Sequence, residues 1–295
     1  MRLHLVDGTY ELFRAHYSPG PGRTDPEGRD VKATVGVVSS LLGLLADERE
    51  AVTHIAVTFD NPIESFRNRR FEGYKDGSDV DPDLRGQFDL VEHSVASLGV
   101  RVWSMDEFEA DDAMATGAVR HADEVEQVRI LTPDKDLGQV VRGRRIVQVD
   151  RRRDKEIDEE GVRERLGVAP GSVPDLLALV GDTADGIPGL PGFGARSAAR
   201  VLARYPHLED VPADVADWDV EVRGAPRLAD TLRQRWEDAL LYRDLATLRL
   251  DVPLEDDLAA LAWHGVPSEP YLAWCEELGV TRLRERPHRW AEDAG

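Results

Sequence analysis

The chain has 295 residues, of which 41% are hydrophobic, enough for one large globular unit or for two domains that share an interface. Its 57 acidic residues against 37 lysines and arginines give a net charge of -20, which excludes a protein that is basic over its whole surface. No apolar run approaches the ~18 residues that a membrane span requires. The single cysteine, Cys275, excludes an intrachain disulfide and favours a reducing compartment, the cytoplasm.

The first half of the chain alternates short β-branched runs with segments of helical periodicity. The pattern predicts strands at 3–6, 54–59, 100–103 and 128–131, and helices at 31–45, 88–98 and 110–121. This alternation is typical of an α/β fold with a mostly parallel sheet and helices on both faces. Beyond about residue 157 the chain is predicted to be mainly helical.

Acidic residues follow the predicted strands. Asp7 and Asp60 each come directly after a strand, and Asp134 and Asp136 follow the strand at 128–131. Open α/β sheets build their sites just past the carboxyl ends of their strands, so we expect these side chains to converge. Taken singly, each aspartate is better explained as a helix cap or a solvated turn.

Five further carboxylates join this set. Glu109 and Asp112 are three residues apart and share a helix face, and Asp111 joins them only where the first turn is irregular. Asp182 and Asp185 follow an apolar helix with the same spacing. Converging carboxylates repel one another unless cations are present. Hard cations such as Mg²⁺ or Mn²⁺ suit all-oxygen ligands, and two of them can hold a phosphodiester in line, so we expect metal-assisted phosphoryl chemistry.

Seven short segments occur in a fixed order along the chain. They are LVDGT at 5–9, FD at 59–60, FR at 66–67, YK at 74–75, EADD at 109–112, TPDKD at 132–136 and GDTADGIPGLPGFG at 181–194. The ordered set resembles the motifs of the 5′-nuclease (flap endonuclease) family, as in the 5′→3′ exonuclease domain of bacterial family A DNA polymerases. The resemblance extends from residue 3 to about residue 254, and without a polymerase domain the chain looks like a stand-alone member.

The resemblance implies a fold, a division of the chain and an activity. The fold is a PIN/resolvase-like α/β core over 1–160 with an arch at about 66–90, then a helical region with a helix–two-turn–helix at 161–255, and a helical tail at 256–295. The implied activity is a metal-dependent 5′→3′ exonuclease, a flap endonuclease or both. Its substrate is DNA with 5′ flaps, nicks or 5′ ends, with an RNA primer left open, and the protein is expected to be a monomer.

The resemblance also implies a metal-binding set, in which some residues bind the cations directly and others through water. Its members are Asp7, Asp60, Glu109, Asp111, Asp112, Asp134, Asp136, Asp182 and Asp185.

The predicted arch supplies positive charge. Residues 66–75 hold four basic residues and one acid, which an amphipathic helix with a basic solvent face explains as well as a DNA contact does. The resemblance implies that Lys75 contacts the scissile phosphate and that Tyr74 stacks on an unpaired base. It further implies a catalytic role for Arg67 and a DNA contact for Arg70.

One position departs from the family pattern. The family usually carries an arginine three residues after the lysine, where this chain has Ser78 in an acidic loop. If that arginine stabilises the transition state, its loss slows catalysis unless Arg70 or Arg85 substitutes.

Two further patches are basic. From 187 to 204 the chain has three arginines and no acid, and the glycines before the helix allow close backbone approach. A plain glycine-rich turn followed by an amphipathic helix is the alternative. The resemblance implies DNA binding by Gly189, Gly192, Gly194, Arg196, Ser197 and Arg200, and K⁺ binding by the carbonyls of Leu179, Val180, Pro188, Leu190 and Phe193. The other patch, 142–155, holds seven basic residues and two acids in a predicted hairpin, and either a solvated face or a DNA contact explains it.

Two other functions share features with this sequence. A haloacid-dehalogenase-type phosphatase needs a nucleophilic aspartate two residues before Asp7, where Leu5 stands. A nuclease-like protein that binds DNA junctions without cutting them fits Ser78 and the acidic composition, whereas the complete set of carboxylates disfavours it. Metal-dependent turnover distinguishes the second alternative from an active nuclease.

Overall fold

The computed structural model describes residues 1–292, so the last three residues of the predicted tail lie outside the described part. One six-stranded sheet has the order β3-β2-β1-β4-β5-β6, in which β6 runs antiparallel to β5 and the other pairs are parallel. The strands are β1 (Arg2–Asp7), β2 (His54–Asp60), β3 (Arg101–Met105), β4 (Gln127–Leu131), β5 (Ile146–Asp150) and β6 (Lys155–Ile157). The mostly parallel sheet and the hairpin are therefore confirmed.

Helices cover both faces of this sheet. They are α1 (Gly8–His16), α2 (Lys32–Ala46), α3 (Phe66–Arg70), α4 (Pro82–Arg85), α5 (Phe88–Ala96) and α6 (Ala110–His121). Alternate residues of β1 point to opposite faces, so Leu3 and Leu5 pack with Met114 of α6, whereas Val6 packs with Leu41 of α2. Both faces are dry, which explains why the strands are near-continuous apolar runs.

The chain from residue 159 to residue 246 forms a second hydrophobic core. Its helices are α7 (Glu159–Leu166), α8 (Val173–Val180), α9 (Ala195–Arg204), α10 (Ala225–Gln234) and α11 (Trp236–Ala246). The turn after α8 packs against the segment that follows α3. Gly186 has φ +76°, and a Cβ there would lie 2.1 Å from the carbonyl oxygen of Gly73, so only glycine permits this approach. The backbone N–H of Lys75 donates to the carbonyl of Asp185 at 3.1 Å, which fixes the helical region against the sheet edge.

The last helix, α12 (Ser268–Glu277), returns to the first core and packs with α2 and α5. Trp274 is 2% exposed, and its indole N–H donates to Ser94 Oγ at 2.7 Å. None of the helices within residues 1–292 is both long and apolar enough to cross a membrane.

Truncation of Trp274 tests how much the packing of α12 contributes to stability. We expect Trp274→Ala to lower the free energy of unfolding by about 3–5 kcal/mol, because it leaves a cavity and removes the indole N–H that donates to the Ser94 hydroxyl. Leu250→Ala is the control, since Leu250 is 51% exposed and its truncation should change stability by no more than about 0.5 kcal/mol. Urea unfolding measures both, and equal midpoints would contradict the packing described.

Candidate active site

The carboxyl ends of the central strands carry two aspartates in fixed orientations. Asp7 ends β1 and caps α1, accepting the backbone N–H of Tyr10 and the hydroxyl of Thr132, both at 2.8 Å. Asp60 ends β2 and accepts the backbone N–H of Ala110 at 2.7 Å. Each carboxylate therefore also holds the start of a helix or a neighbouring strand end in place.

These aspartates open into a cleft of about 560 Å³. Asp111, in the first turn of α6, and Asp134, just after β4, line the same cleft. The β4 end is stiffened locally, because the backbone N–H of Asp136 donates to Asp134 Oδ1 at 3.0 Å. The other lining groups include the side chains of Lys75, Lys135 and Arg165.

A second carboxylate group lies beside the first. Asp136, Asp182 and Asp185 each offer an oxygen within 4.8 Å of the other two. Asp182 and Asp185 belong to the turn after α8, so the helical region supplies two of the three acids. Asp136 Oδ1 is buried and accepts no hydrogen bond from any described residue. An acceptor in that state is costly unless a cation or a donor reaches it.

Burial and mutual repulsion raise the pKa values of several of these acids. Burial, with the charge of Asp60, raises the pKa of Asp7 to about 7. Burial, together with the charge of Asp134, also raises the pKa values of Asp111 and Asp136 well above the ordinary value. The carboxylates are thus destabilised in their charged form.

Two lysines offset part of this charge. Lys75 Nζ lies 3.1 Å from Glu109 Oε2 and 2.9 Å from Asp185 Oδ1. Burial opposes its charge, but Glu109 and Asp185 raise the pKa of Lys75 well above its ordinary value. Glu109 is the exception among the acids: although burial acts to raise its pKa, Lys75 and Arg67 lower it to about 2.

Lys135 is the second lysine, and the sequence analysis did not assign it a role. Its ammonium forms an ion pair with Asp182 and lies 3.7 Å from Asp136 Oδ1. Its place in the sequence between Asp134 and Asp136 could have indicated this role, because a lysine between two site carboxylates lies close to the same acids.

The residues present fit bound divalent cations. All the candidate metal-ligand atoms are carboxylate oxygens, which suit hard cations. Asp136 Oδ1 accepts no hydrogen bond from the described residues, and burial, with the charge of Asp60, disfavours the charged form of Asp7, so the site favours additional positive charge. A divalent cation would remove both penalties at once.

Arg67 and Asp112 lie away from the cleft and form a buried ion pair. Arg67 is 1% exposed, and its Nη1 and Nη2 donate to the two oxygens of Asp112 at 2.7 and 2.8 Å. The same guanidinium donates to Glu109 at 3.1 Å and to the carbonyls of Leu245 and Thr247 at 2.8 and 3.1 Å. It therefore joins α3, α6 and the end of α11, and its hydrogen bond to Glu109 positions that carboxylate from the side away from the cleft.

The remaining arch residues take different positions. Tyr74 is buried, and its hydroxyl donates to Glu109 Oε2 at 3.2 Å, so its ring is not open to a base in this conformation. Arg70 is ion-paired with Asp244 of α11. Ser78 is exposed in the loop after Lys75.

Of the two arginines considered as substitutes at position 78, Arg85 is the one beside the cleft. Its guanidinium donates to the carbonyl of Gly77, and it lines a cavity of about 280 Å³ together with Asp60. Arg70 is turned away toward its ion pair.

Helix α9 presents its arginines unequally. Arg196 and Arg200 are exposed, and neither has a carboxylate within ion-pair distance among residues 1–292. Arg204 is instead paired with Asp219 at 2.8 Å. At the start of the helix, Ser197 Oγ lies 3.0 Å from the N–H of Gly194.

The turn before α9 brings the other expected residues together. Gly192 and Gly194 are exposed, whereas Gly189 is buried with φ +69°, and a Cβ there would lie 2.5 Å from Gly181 N. Two of the carbonyls expected to bind K⁺ already accept hydrogen bonds, Leu179 from Leu190 N–H at 2.8 Å and Leu190 from Phe193 N–H at 3.2 Å. The carbonyls of Val180 and Pro188 belong to the same turn.

In the basic patch at 142–155, acids pair with four of the seven basic residues. Its ion pairs are Arg142–Asp123, Arg144–Glu156, Arg151–Glu11 and Arg153–Asp150.

Known families and structures match the whole of this arrangement. The 5′-3′ exonuclease N-terminal resolvase-like domain matches residues 2–167, and the 5′-3′ exonuclease C-terminal SAM fold matches residues 168–269. DNA polymerase I of Bacillus caldotenax is 32% identical over 289 residues, which are 97% of this chain and 32% of that protein. The chain thus spans about a third of the length of such relatives.

Two solved structures share the fold. The T5 5′-exonuclease with bound divalent metal ions (zinc) has a TM-score of 0.62 at 16% identity, covering 94% of this chain and 100% of that one. The catalytic core of Rad2 in complex with DNA substrate has a TM-score of 0.60 at 14% identity, covering 94% and 87%. The predicted resolvase-like core followed by a helical region is therefore confirmed.

The buried ion pair can be tested by a double-mutant cycle. We expect Arg67→Met to lower the free energy of unfolding by about 3–5 kcal/mol, because it leaves the Asp112 carboxylate buried without a cation. Adding Asp112→Asn should recover part of that loss, so the two changes are not additive. Urea unfolding of the single and double variants measures the coupling. Strict additivity would contradict the pairing.

Stability should depend on pH and on divalent cations together. Because the pKa of Asp7 is raised from 3.8 to about 7, the folded protein holds a proton that the unfolded chain has lost. Metal-free stability should therefore fall as pH rises between these values, and Mg²⁺ should raise the melting temperature more at about pH 8 than at about pH 5.

Asp7→Asn provides the control, since it removes this titration and should flatten the difference between the two pH values. A melting temperature that Mg²⁺ leaves unchanged at both pH values would contradict the cation site.

Proposed function

The chain belongs to the 5′-3′ exonuclease family, and we propose that it hydrolyses DNA phosphodiesters at 5′ flaps, nicks or 5′ ends with the help of divalent cations. The observation that carries this proposal is the pair of carboxylate groups at the sheet edge, which includes a buried oxygen of Asp136 that accepts no hydrogen bond from the described residues. A site made of carboxylates and lysines is suited to bind cations next to a phosphate rather than a neutral ligand.

The cations would be held by the acids that face the cleft and the neighbouring group. These are Asp7, Asp60, Asp111, Asp134, Asp136, Asp182 and Asp185. When bound, Mg²⁺ or Mn²⁺ supplies the positive charge that stabilises negative charge developing on a phosphodiester. Asp112 is assigned a positioning role instead, because both of its oxygens are held by Arg67.

Lys75 is the protein's own cation for the scissile phosphate. Its side chain lies at the cleft, and its ion pairs with Glu109 and Asp185 keep it charged and aimed there. In the reaction, the oxygen of water forms a bond to phosphorus, the bond from phosphorus to the 3′ oxygen breaks, the attacking water loses a proton, and the leaving 3′ oxygen gains one. The products are a 5′-phosphate and a 3′-hydroxyl.

Duplex DNA would dock on the start of α9. Arg196 and Arg200 are free of carboxylate partners within the described chain, and the exposed backbone at Gly192 and Gly194 can approach phosphates. The carbonyls of the turn at 179–193 are the place for a K⁺ ion. The Rad2 core, which has the same fold, is in complex with a DNA substrate, and this supports DNA as the ligand.

The finer assignments complete the proposal. Residues 1–160 act as the catalytic core, 161–255 as the DNA-binding region, and 256–295 as a helical tail, of which α12 packs on the core. We infer a monomer in the cytoplasm, where the buried free thiol of Cys275 is compatible with reducing conditions. Primer RNA fits the same site as a second substrate, since contacts to the phosphate backbone do not require deoxyribose.

Cleavage of a 5′-labelled flap duplex tests the proposal. Asp134→Ala should reduce Mg²⁺-dependent cutting by at least about a hundredfold, because a cation contributes several kcal/mol of transition-state stabilisation. Asp134 is exposed, so the variant should fold normally. Glu285→Ala, at an exposed and distant site, is the matched control.

The alternative outcome is also specific. If the wild type binds the junction but does not cut it with either Mg²⁺ or Mn²⁺, the protein is a junction-binding relative without activity. Restoring an arginine with Ser78→Arg then shows whether that position is the cause.

A further inference from the structure

The basic side chains that line the cleft differ in their partners. Lys75 and Lys135 are each ion-paired with carboxylates of the site. Arg165, on the last turn of α7, lines the same cleft, but no carboxylate of residues 1–292 lies within ion-pair distance of it. Its Nη2 donates to the carbonyl of Pro133 at 2.8 Å, and its side chain is exposed.

Arg165 has no carboxylate partner among the described residues although carboxylates line the same cleft. The chain has 57 acids against 37 basic residues, and the cleft itself is lined with carboxylates. On the same helix, Arg163 follows the common pattern and pairs with Glu159 at 2.6 Å. The contact of Arg165 with a neutral carbonyl thus leaves its full charge available to an anion.

The single hydrogen bond also fixes where that charge stands. Pro133 directly precedes Asp134, so the guanidinium is tied to the strand end that carries a cleft carboxylate. An arginine has five N–H donors in a planar fork, and one of them is used by Pro133. The remaining donors can grip a phosphate through two oxygens, which a lysine cannot do.

We propose that Arg165 binds a backbone phosphate of the substrate strand, next to the phosphate that is cut, and so sets the register of that strand over the cleft. This role rests on the proposed nuclease function. It adds a phosphate contact from α7 to the contact that is proposed for Lys75. The ligand chemistry is a phosphodiester, read without regard to base sequence.

A purely structural role is the alternative. In that case the bond to Pro133 would only tie α7 to the end of β4, and its loss would lower stability without touching the ionic part of DNA binding. The two roles are separable because each released counterion contributes to the salt dependence of binding.

The experiment measures the affinity of a fluorescent 5′-flap duplex by anisotropy, with Ca²⁺ in place of the activating cation, at several salt concentrations. Arg165→Gln should bind about tenfold more weakly, as expected for a lost charged hydrogen bond. The slope of log K against log salt should decrease by about 0.9 in magnitude, the value for one phosphate contact. Arg163→Gln is the matched control and should leave both quantities unchanged.

Two further readouts separate positioning from folding. Arg165→Lys should keep the salt slope while losing part of the affinity, since it retains the charge and loses the fork. In Mg²⁺, Arg165→Gln should raise KM more than it lowers kcat, and its melting temperature should equal that of Arg163→Gln.

Failure of this inference differs from failure of the proposed function. If the wild type neither binds nor cuts the flap duplex, the nuclease function fails first. If the wild type binds and cuts but Arg165→Gln has the same affinity and the same salt slope, Arg165 makes no phosphate contact. A lowered melting temperature with an unchanged slope would establish the structural role instead.

Discussion

Repulsion between carboxylates at the carboxyl edge of the sheet sets the conditions for the rest of this structure. The parallel strands bring Asp7, Asp60 and Asp134 to one cleft, where burial and neighbouring charges raise the pKa of Asp7 to about 7. A fold that carries such a cluster needs cations close to it. The protein supplies two of its own, Lys75 and Lys135, yet one buried oxygen of Asp136 accepts no hydrogen bond from the described residues.

The same constraint explains why the helical region is fastened so firmly to the sheet. The turn after α8 contributes Asp182 and Asp185, and Gly186 lets that turn approach the backbone of Gly73 closely. On the far side, Arg67 binds Asp112 and the carbonyl groups that follow α11. Acids from both regions thus meet in one place, and small movements between the regions would change the cluster directly.

Much of this was readable in the sequence because it depends on local order along the chain. Strand ends follow from apolar runs, and α6 begins at Ala110 as predicted because Glu109 and Asp112 form a capping box there. Which groups a side chain contacts in the folded protein could not be predicted from the sequence. The spacing of the α9 arginines could not reveal that Arg204 pairs with Asp219, and the FR motif gave no sign that Arg67 is buried. The same applies to Arg165, which is distinguished by the absence of a carboxylate partner among the described residues.

The most direct test of the central claim is a calorimetric titration of the metal-free protein with Mn²⁺ near neutral pH, in two buffers of different ionisation enthalpy. If buried carboxylates with raised pKa values bind the cation, binding releases protons, and the apparent heat differs between the buffers. Asp7→Asn should reduce that difference. Binding of Mn²⁺ with equal heats in both buffers, or no binding at all, would contradict the claim that carboxylates with raised pKa values bind divalent cations here.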